Sequence, residues 1–441
     1  MPSWSMRSGR WRQSIRALEH RNFRLYFGGQ GLSVIGTWMT RTAIAWLVYQ
    51  MTGSALLLGL VAFAGQVPTF LLSPFAGVWV DRLNRRKLLK ITQALAMVQS
   101  LALAALALTH ITMLEILALS AFQGVINAFD MPGRQAFLVE MVEGREALSN
   151  AIALNSSMVN LARLIGPALG GIIIALSGEG ICFLIDGISY IAVIASLYAM
   201  RGLPQRTRLP RRTMLAALGE GWTFVSRFAP ARNLLLLLAL VSLVGMPYSV
   251  LMPLFAGNVL GGGAHTLGFL LGAAGAGALV GAARLAARAS VRGLTRLVPL
   301  SAALFGAGLI SFGFSRWLWL SLPLIFVAGL GMMQQMASTN TILQTVVTEE
   351  MRGRVMAFYT MAFVGMAPWG SLLAGALAAH LGAPRTLELN GIVCLLGAGW
   401  FLSRLRTVRT AIRPIYQRLG IIPEMAAGIQ SASALTTPPQ D

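Results

Sequence analysis

Twelve apolar blocks alternate along the chain with short polar connections. Each is near the roughly 20 residues of helix that a bilayer core of about 30 Å demands. They predict spans at approximately Leu25–Tyr49, Ala55–Val80, Leu88–Thr109, Leu114–Phe129, Ala151–Leu176 and Ile181–Met200, then Leu234–Phe255, Leu267–Ala283, Leu297–Phe314, Leu318–Ala337, Val355–Ala379 and Leu389–Leu402. The longest polar connection follows the sixth block, where Arg201, Pro204, Arg206, Arg208, Pro210, Arg211 and Arg212 divide the chain six and six. Beyond it, Leu215, Leu218, Trp222 and Val225 recur at helical spacing, as in a short amphipathic helix lying in the interface.

The pattern therefore predicts an all-α membrane protein of twelve transmembrane helices in two six-helix pseudo-symmetric bundles. Its expected parts are a first bundle with a basic arm at 1–200, a linker at 201–232, a second bundle at 233–405 and a tail at 406–441. The halves echo one another. Gly166, Pro167, Gly170 and Gly171 in the fifth span are matched by Gly365, Pro368, Gly370 and Gly375 in the eleventh, with the prolines 201 residues apart. Gln123 and Asn127 in the fourth span answer to Gln334 and Ser338 in the tenth. Such internal duplication points to a secondary transporter whose site lies between the repeats.

Composition closes off the soluble alternatives, because 56% hydrophobic and 11% charged residues leave too much apolar surface for water. A net charge of +20 raises the question of nucleic acid, and the positions of the 35 basic residues answer it. All but four lie in the N-terminal arm and in alternate connections; Arg316 and Arg385 lie on the opposite side, and Arg41 and Arg163 lie inside spans. That asymmetry places both termini in the cytoplasm and builds no continuous basic face for nucleic acid. The basic arm leads into a first span too long for a cleavable signal. Cys182 and Cys394 fall inside spans, so neither a disulfide framework nor a metal cluster is expected.

After the second span stands Gly77-Val-Trp-Val-Asp81-Arg82-Leu-Asn-Arg85-Arg86, and here the chain resembles the major facilitator superfamily. The resemblance implies a gating latch made by Gly77, Asp81, Arg82, Arg85, Arg86 and Asp130. In it Asp81 meets the N-terminus of the eleventh helix, where a carboxylate is stabilised, and Arg85 pairs with an acid at the cytoplasmic end of the fourth helix, a place Asp130 occupies. The corresponding turn of the second half keeps Gly277, Gly281 and Arg284 but has no Asp. Gly166, Pro167, Gly170 and Gly171 match the motif that the superfamily's antiporters carry. Further runs, among them Asn22-Phe-Arg-Leu-Tyr26, Asp130-Met-Pro-Gly-Arg-Gln135 and Arg352-Gly-Arg-Val-Met356, resemble the branch of drug and siderophore exporters similar to the enterobactin exporter.

Charges within the membrane supply the candidate chemistry, since an arginine at a helix centre costs about 2.5–3.5 kcal/mol and needs a partner or a cavity. Arg41, Arg163 and Asp186 fall at similar depth, so Asp186 is expected to neutralise Arg163 and leave Arg41 for substrate. Trp38 shares a helix face with Arg41, and Asn160 shares one with Arg163. With Gln123, Asn127 and Gln334, these complete the substrate or coupling candidates. The expected function is export of a small hydrophobic or amphipathic molecule across a bacterial inner membrane by alternating access against protons. The lipid bilayer is its setting, the monomer its working unit, and neither cofactor nor enzymatic activity is implied. An importer or facilitator on the same fold, and a non-transporting membrane sensor, remain open on the sequence.

Overall fold

The computed structural model describes residues 16–202, 214–288 and 290–421. The basic arm at 1–15, the proline-broken part of the linker at 203–213 and the tail beyond 421 lie outside the described residues. The first half comprises α1 (Arg21–Thr52), α2 (Ala55–Arg82), α3 (Arg85–Thr109), α4 (Met113–Leu138), α5 (Arg145–Ser177) and α6 (Glu179–Ala199). A linker helix, Met214–Arg227, precedes the second half. That half comprises α7 (Ala229–Val259), α8 (Ala264–Ala286), α9 (Leu294–Phe314), α10 (Leu318–Val346), α11 (Glu349–Leu381) and α12 (Ala383–Arg418). No strand is present among the described residues.

Eleven of these helices are long and apolar enough to cross a bilayer. The exception by composition is α1, whose 32 residues include Arg21, Arg24, Gln30, Arg41 and Gln50. It is nonetheless an integral part of the bundle, packed along α5 and α6, and it supplies the twelfth crossing with Gln30, Ser33, Thr40 and Thr42 buried in protein. The last helix also departs from the hydropathy reading, which ended it at Leu402. It continues to Arg418 because Val408, Ile412 and Tyr416 recur at helical spacing and are buried, while arginines occupy the other faces.

Local chemistry sets the helix ends. Ser54 and Asn84 cap α2 and α3 by accepting from the backbone N–H groups of Leu57 and Lys87, and Thr112 with Glu115 forms a reciprocal capping box on α4. α5 passes into α6 through Gly178 alone, and α11 into α12 through Gly382 alone. Both carry positive φ, 82° and 80°, which a side chain would strain. In α7 and α11 the ladder widens into π turns at Val241–Gly245 and Met361–Gly365, just before Pro247 and Pro368. The missing proline N–H groups prevent a regular α turn there.

Three glycine pairs relate the halves by one offset of 204 residues: Gly166 to Gly370, Gly171 to Gly375 and Gly178 to Gly382. A Cβ on Gly166 would lie 2.5 Å from Trp38 Cβ on α1, and one on Gly370 would lie 2.0 Å from Leu243 O on α7. The fifth helix of each half thus presses a glycine on its own first helix. The prolines, 201 apart, fall about one turn out of this register; the glycines carry the structural repeat.

Each half packs within itself, α1 on α5 and α6, α2 on α4, α3 on α4 and α6, α8 and α9 on α10, and α9 on α12. The halves meet along α5 with α8 and along α2 with α11. At the first crossing a Cβ on Gly171 would sit 2.5 Å from Ala264 O and 2.9 Å from Gly268 Cα; at the second, one on Gly375 would sit 2.6 Å from Ala55 O and 3.0 Å from Gly59 Cα. Tyr49 Oη donates to Asn258 Oδ1 at 2.7 Å, joining α1 to α7. These contacts lie toward the membrane face opposite the termini.

Candidate functional site

Polar residues fill the interior of the first half along three helix stripes. α1 contributes Gln30, Ser33 and Thr37; α3 contributes Thr92, Gln93, Gln99 and Ser100; α4 contributes Ser120, Gln123, Asn127, Asp130 and Arg134. On α1 and α4 the residues recur at the three- and four-residue spacing that keeps them on one helical face, and on α3 they form two adjacent pairs seven residues apart, two turns along the same face. They close around a polar cavity of about 20 Å³, lined in part by Gln30, Gln93, Gln123, Asn127, Asp130 and Tyr190. That is room for a water, not for a substrate.

Asp130 anchors this interior. It is 2% exposed, forms an ion pair with Arg134 one turn on, and accepts from Thr92 Oγ1 at 2.8 Å and Gln93 Nε2 at 2.7 Å. The expected pairing of Asp130 with Arg85 is therefore corrected. α4 runs to Leu138 instead of ending near Phe129, so Asp130 lies about two turns inside, and the acid at the helix end is Glu140. Arg85 meets Glu140 at 2.6 Å. Arg86 donates to the carbonyls of Leu197, Tyr198 and Met200 at 2.7–3.1 Å, satisfying the end of α6. The side chains of Gly77, Asp81 and Arg82, and with them the latch expected at the start of α11, lie outside what is described.

The expected Asp186–Arg163 pair is likewise corrected. Asp186, also 2% exposed, accepts from Thr40 Oγ1 at 2.8 Å and Ser100 Oγ at 3.0 Å. Its other oxygen has no partner and faces Gly36, where a Cβ would lie 2.6 Å away. Asp186 is thus held between α1 and α3 by hydroxyls. Replacing it with Asn should shift thermal unfolding of the purified protein by a few degrees at most, because an amide meets both hydroxyls. Asp186→Leu should cost about 1–3 kcal/mol by leaving them unpaired. Equal losses in the two variants would show that the carboxylate's charge, and not its hydrogen bonding, holds the site.

Arg41 and Arg163 both turn to Trp38 instead. Their guanidinium carbons lie 5.0 and 5.1 Å from the centre of that indole. Asn160 donates back to Ser156 O at 2.9 Å on its own helix, a turn from Arg163. Gln123 donates to Asn127 Oδ1 at 3.2 Å, while Gln334 lies in the other half and accepts from Ser301 at 3.5 Å. The candidates thus separate into the Trp38–Arg41–Arg163 group, the polar interior around Asp130, the hydroxyl-held Asp186 and a distant Gln334. Arg134, Thr92, Gln93 and Tyr190 belong to the interior and were not singled out from sequence, although the stripe on α4 marks Arg134 by spacing alone.

A family profile described as transmembrane secretion effector matches residues 13–415 of the chain. The chain belongs to this family, within the major facilitator superfamily. The chain is 26% identical over 393 residues to the staphyloferrin A transporter of Staphylococcus aureus, covering 86% of this chain and 96% of that one. It is 29% identical over 392 residues to the multidrug efflux pump Tap of Mycolicibacterium fortuitum, covering 86% and 95%. A bacterial homologue of the lysosomal transporter Spinster shares its fold with a TM-score of 0.71 at 13% identity, over 88% of this chain and 98% of that one. The all-α fold of two pseudo-symmetric bundles and the kinship with drug and siderophore exporters follow from these matches; the protein is a multi-pass membrane transporter.

Proposed function

We propose that the protein exports a small hydrophobic or amphipathic molecule, drug-like or siderophore-like, across a bacterial inner membrane by alternating access with proton antiport. The observation that carries this reading is the pair of glycine crossings, Gly171 on Gly268 and Gly59 on Gly375. They bring backbone against backbone between the two bundles toward the membrane face opposite the termini, and such a joint can part as rigid bodies rock. The positive-inside asymmetry supports cytoplasmic termini, which makes the sealed face the outer one. The bundles are assigned to 1–200 and 233–405, with the linker helix docked on the second through the Arg354–Glu220 ion pair at 2.6 Å. Protons as coupling ion and the monomer as working unit are part of the same proposal.

Reconstitution into vesicles with an imposed pH gradient tests it. Ethidium should move against its gradient when protons run the other way, and an ethidium gradient alone should drive a measurable counterflow of protons. Ethidium movement without proton counterflow refutes antiport. Absence of both refutes export of this substrate class.

A further inference from the structure

The two arginines on Trp38 differ from the other arginines held within the first half. Arg134 has Asp130, Arg85 has Glu140, and Arg86 has the carbonyls at the end of α6. Arg41 and Arg163 share one indole and, among the described residues, have no carboxylate or carbonyl acceptor, and the buried Nε of Arg163 has no hydrogen-bond partner. Sharing one ring, the two guanidiniums lie at most about 10 Å apart. A cation over an indole face is worth about 0.5–2 kcal/mol, less than the cost of placing an arginine deep in a membrane helix. Two like charges this close repel, so the indole alone does not compensate them.

Their position is also particular. Trp38 Cβ presses on Gly166, which brings α1 and α5 together just where Arg163 leaves α5 by one turn. The carbonyl of Arg163 lies 2.9 Å from where a Cβ on Gly275 of α8 would stand. The group therefore borders the second half. Arg41 keeps exposed surface although it lies eleven residues inside the end of α1. Asp186, the nearest acid expected from sequence, is committed to Thr40 and Ser100 on other faces.

We infer that Arg41 and Arg163, gathered on Trp38, form a binding site for an organic anion bearing carboxylate groups at the boundary between the halves. This deepens the export proposal by naming organic anions as a class the transporter accepts beside cations such as ethidium, and it rests on that reading. Guanidinium presents paired N–H donors that match a carboxylate edge, which a lysine does not reproduce. Two such forks within about 10 Å fit a ligand with two acidic groups, or one acidic group shared between them.

The test is equilibrium binding to the purified full-length protein in lipid nanodiscs, read by fluorescence polarisation, with fluorescein as the anionic probe and ethidium as a cationic one. Wild type should bind fluorescein saturably. Arg41→Ala and Arg163→Ala should each weaken it at least tenfold, and Arg41→Lys should recover only part of the loss. Ethidium affinity should hold or rise in the same variants. Thermal unfolding of Arg41→Gln should not fall below wild type, since no partner is stranded. Absence of saturable fluorescein binding to wild type, unchanged fluorescein affinity in both alanine variants, or parallel loss of ethidium and fluorescein binding would each overturn the assignment. Because the assay needs no gradient, its failure is distinct from failure of proton-driven export in vesicles.

Discussion

Replacing Gly171 with valine is expected to abolish transport while leaving a membrane-inserted, folded protein. The Cβ alone would stand 2.5 Å from Ala264 O and 2.9 Å from Gly268 Cα, where both neighbours are backbone and neither can swing aside. The clash is between halves, not within one. α5 retains its packing on α1, and the cost falls on the state in which this face is sealed. The population then shifts toward the state open on that face, and a shift of about 4 kcal/mol leaves the sealed state roughly a thousandfold rarer. Single cysteines at Tyr49 and Asn258, whose side chains are joined in the sealed state, should become reactive to a membrane-impermeant maleimide. Transport at the wild-type rate, or unchanged labelling, would show that the crossing is not a moving joint.

The second large effect is expected at Arg134. Substitution by Met removes the only cation paired with Asp130 among the described residues, while Thr92 and Gln93 continue to donate to it. Breaking a buried ion pair from one side costs about 3–5 kcal/mol, because the remaining charge keeps its desolvation penalty. The double variant Asp130→Asn with Arg134→Met should recover most of that loss, since an amide accepts from the same hydroxyl and amide donors. Thermal unfolding in detergent measures both. A double variant no more stable than Arg134→Met would mean that Arg134 acts by filling space.

The span boundaries were legible because hydropathy is a property of composition, and the helix interiors fall where the apolar blocks lie. What hydropathy reads is the bilayer, and helices do not end where the bilayer does. α4 continues past Phe129 on the strength of its helical spacing, which moves Asp130 from helix end to helix interior and hands Arg85 to Glu140. Depth was legible at Arg41, Arg163 and Asp186, but azimuth was not. Opposite charges at one depth meet only if their helix faces do, and Thr40, one residue before Arg41, turns Asp186 to the other side of α1. Arg134 was counted with the cytoplasmic arginines because charge asymmetry takes no account of a partner one turn away. The Trp38 group needed the close approach of α1 to α5 at Gly166, which sequence displays as a glycine without naming what it touches.

The offset of 204 residues has a consequence for the chain's origin. Under that offset Gly171 corresponds to Gly375, and each presses on a glycine of the second helix in the opposite half, Gly268 and Gly59, which are related by an offset of 209. In a two-fold dimer of six-helix subunits, these would be a single self-complementary contact counted from each partner. A change at one glycine would then appear at both crossings at once. A single chain is free of that constraint, and the π turn before Pro368, which has no counterpart before Pro167, is one place where the two halves differ.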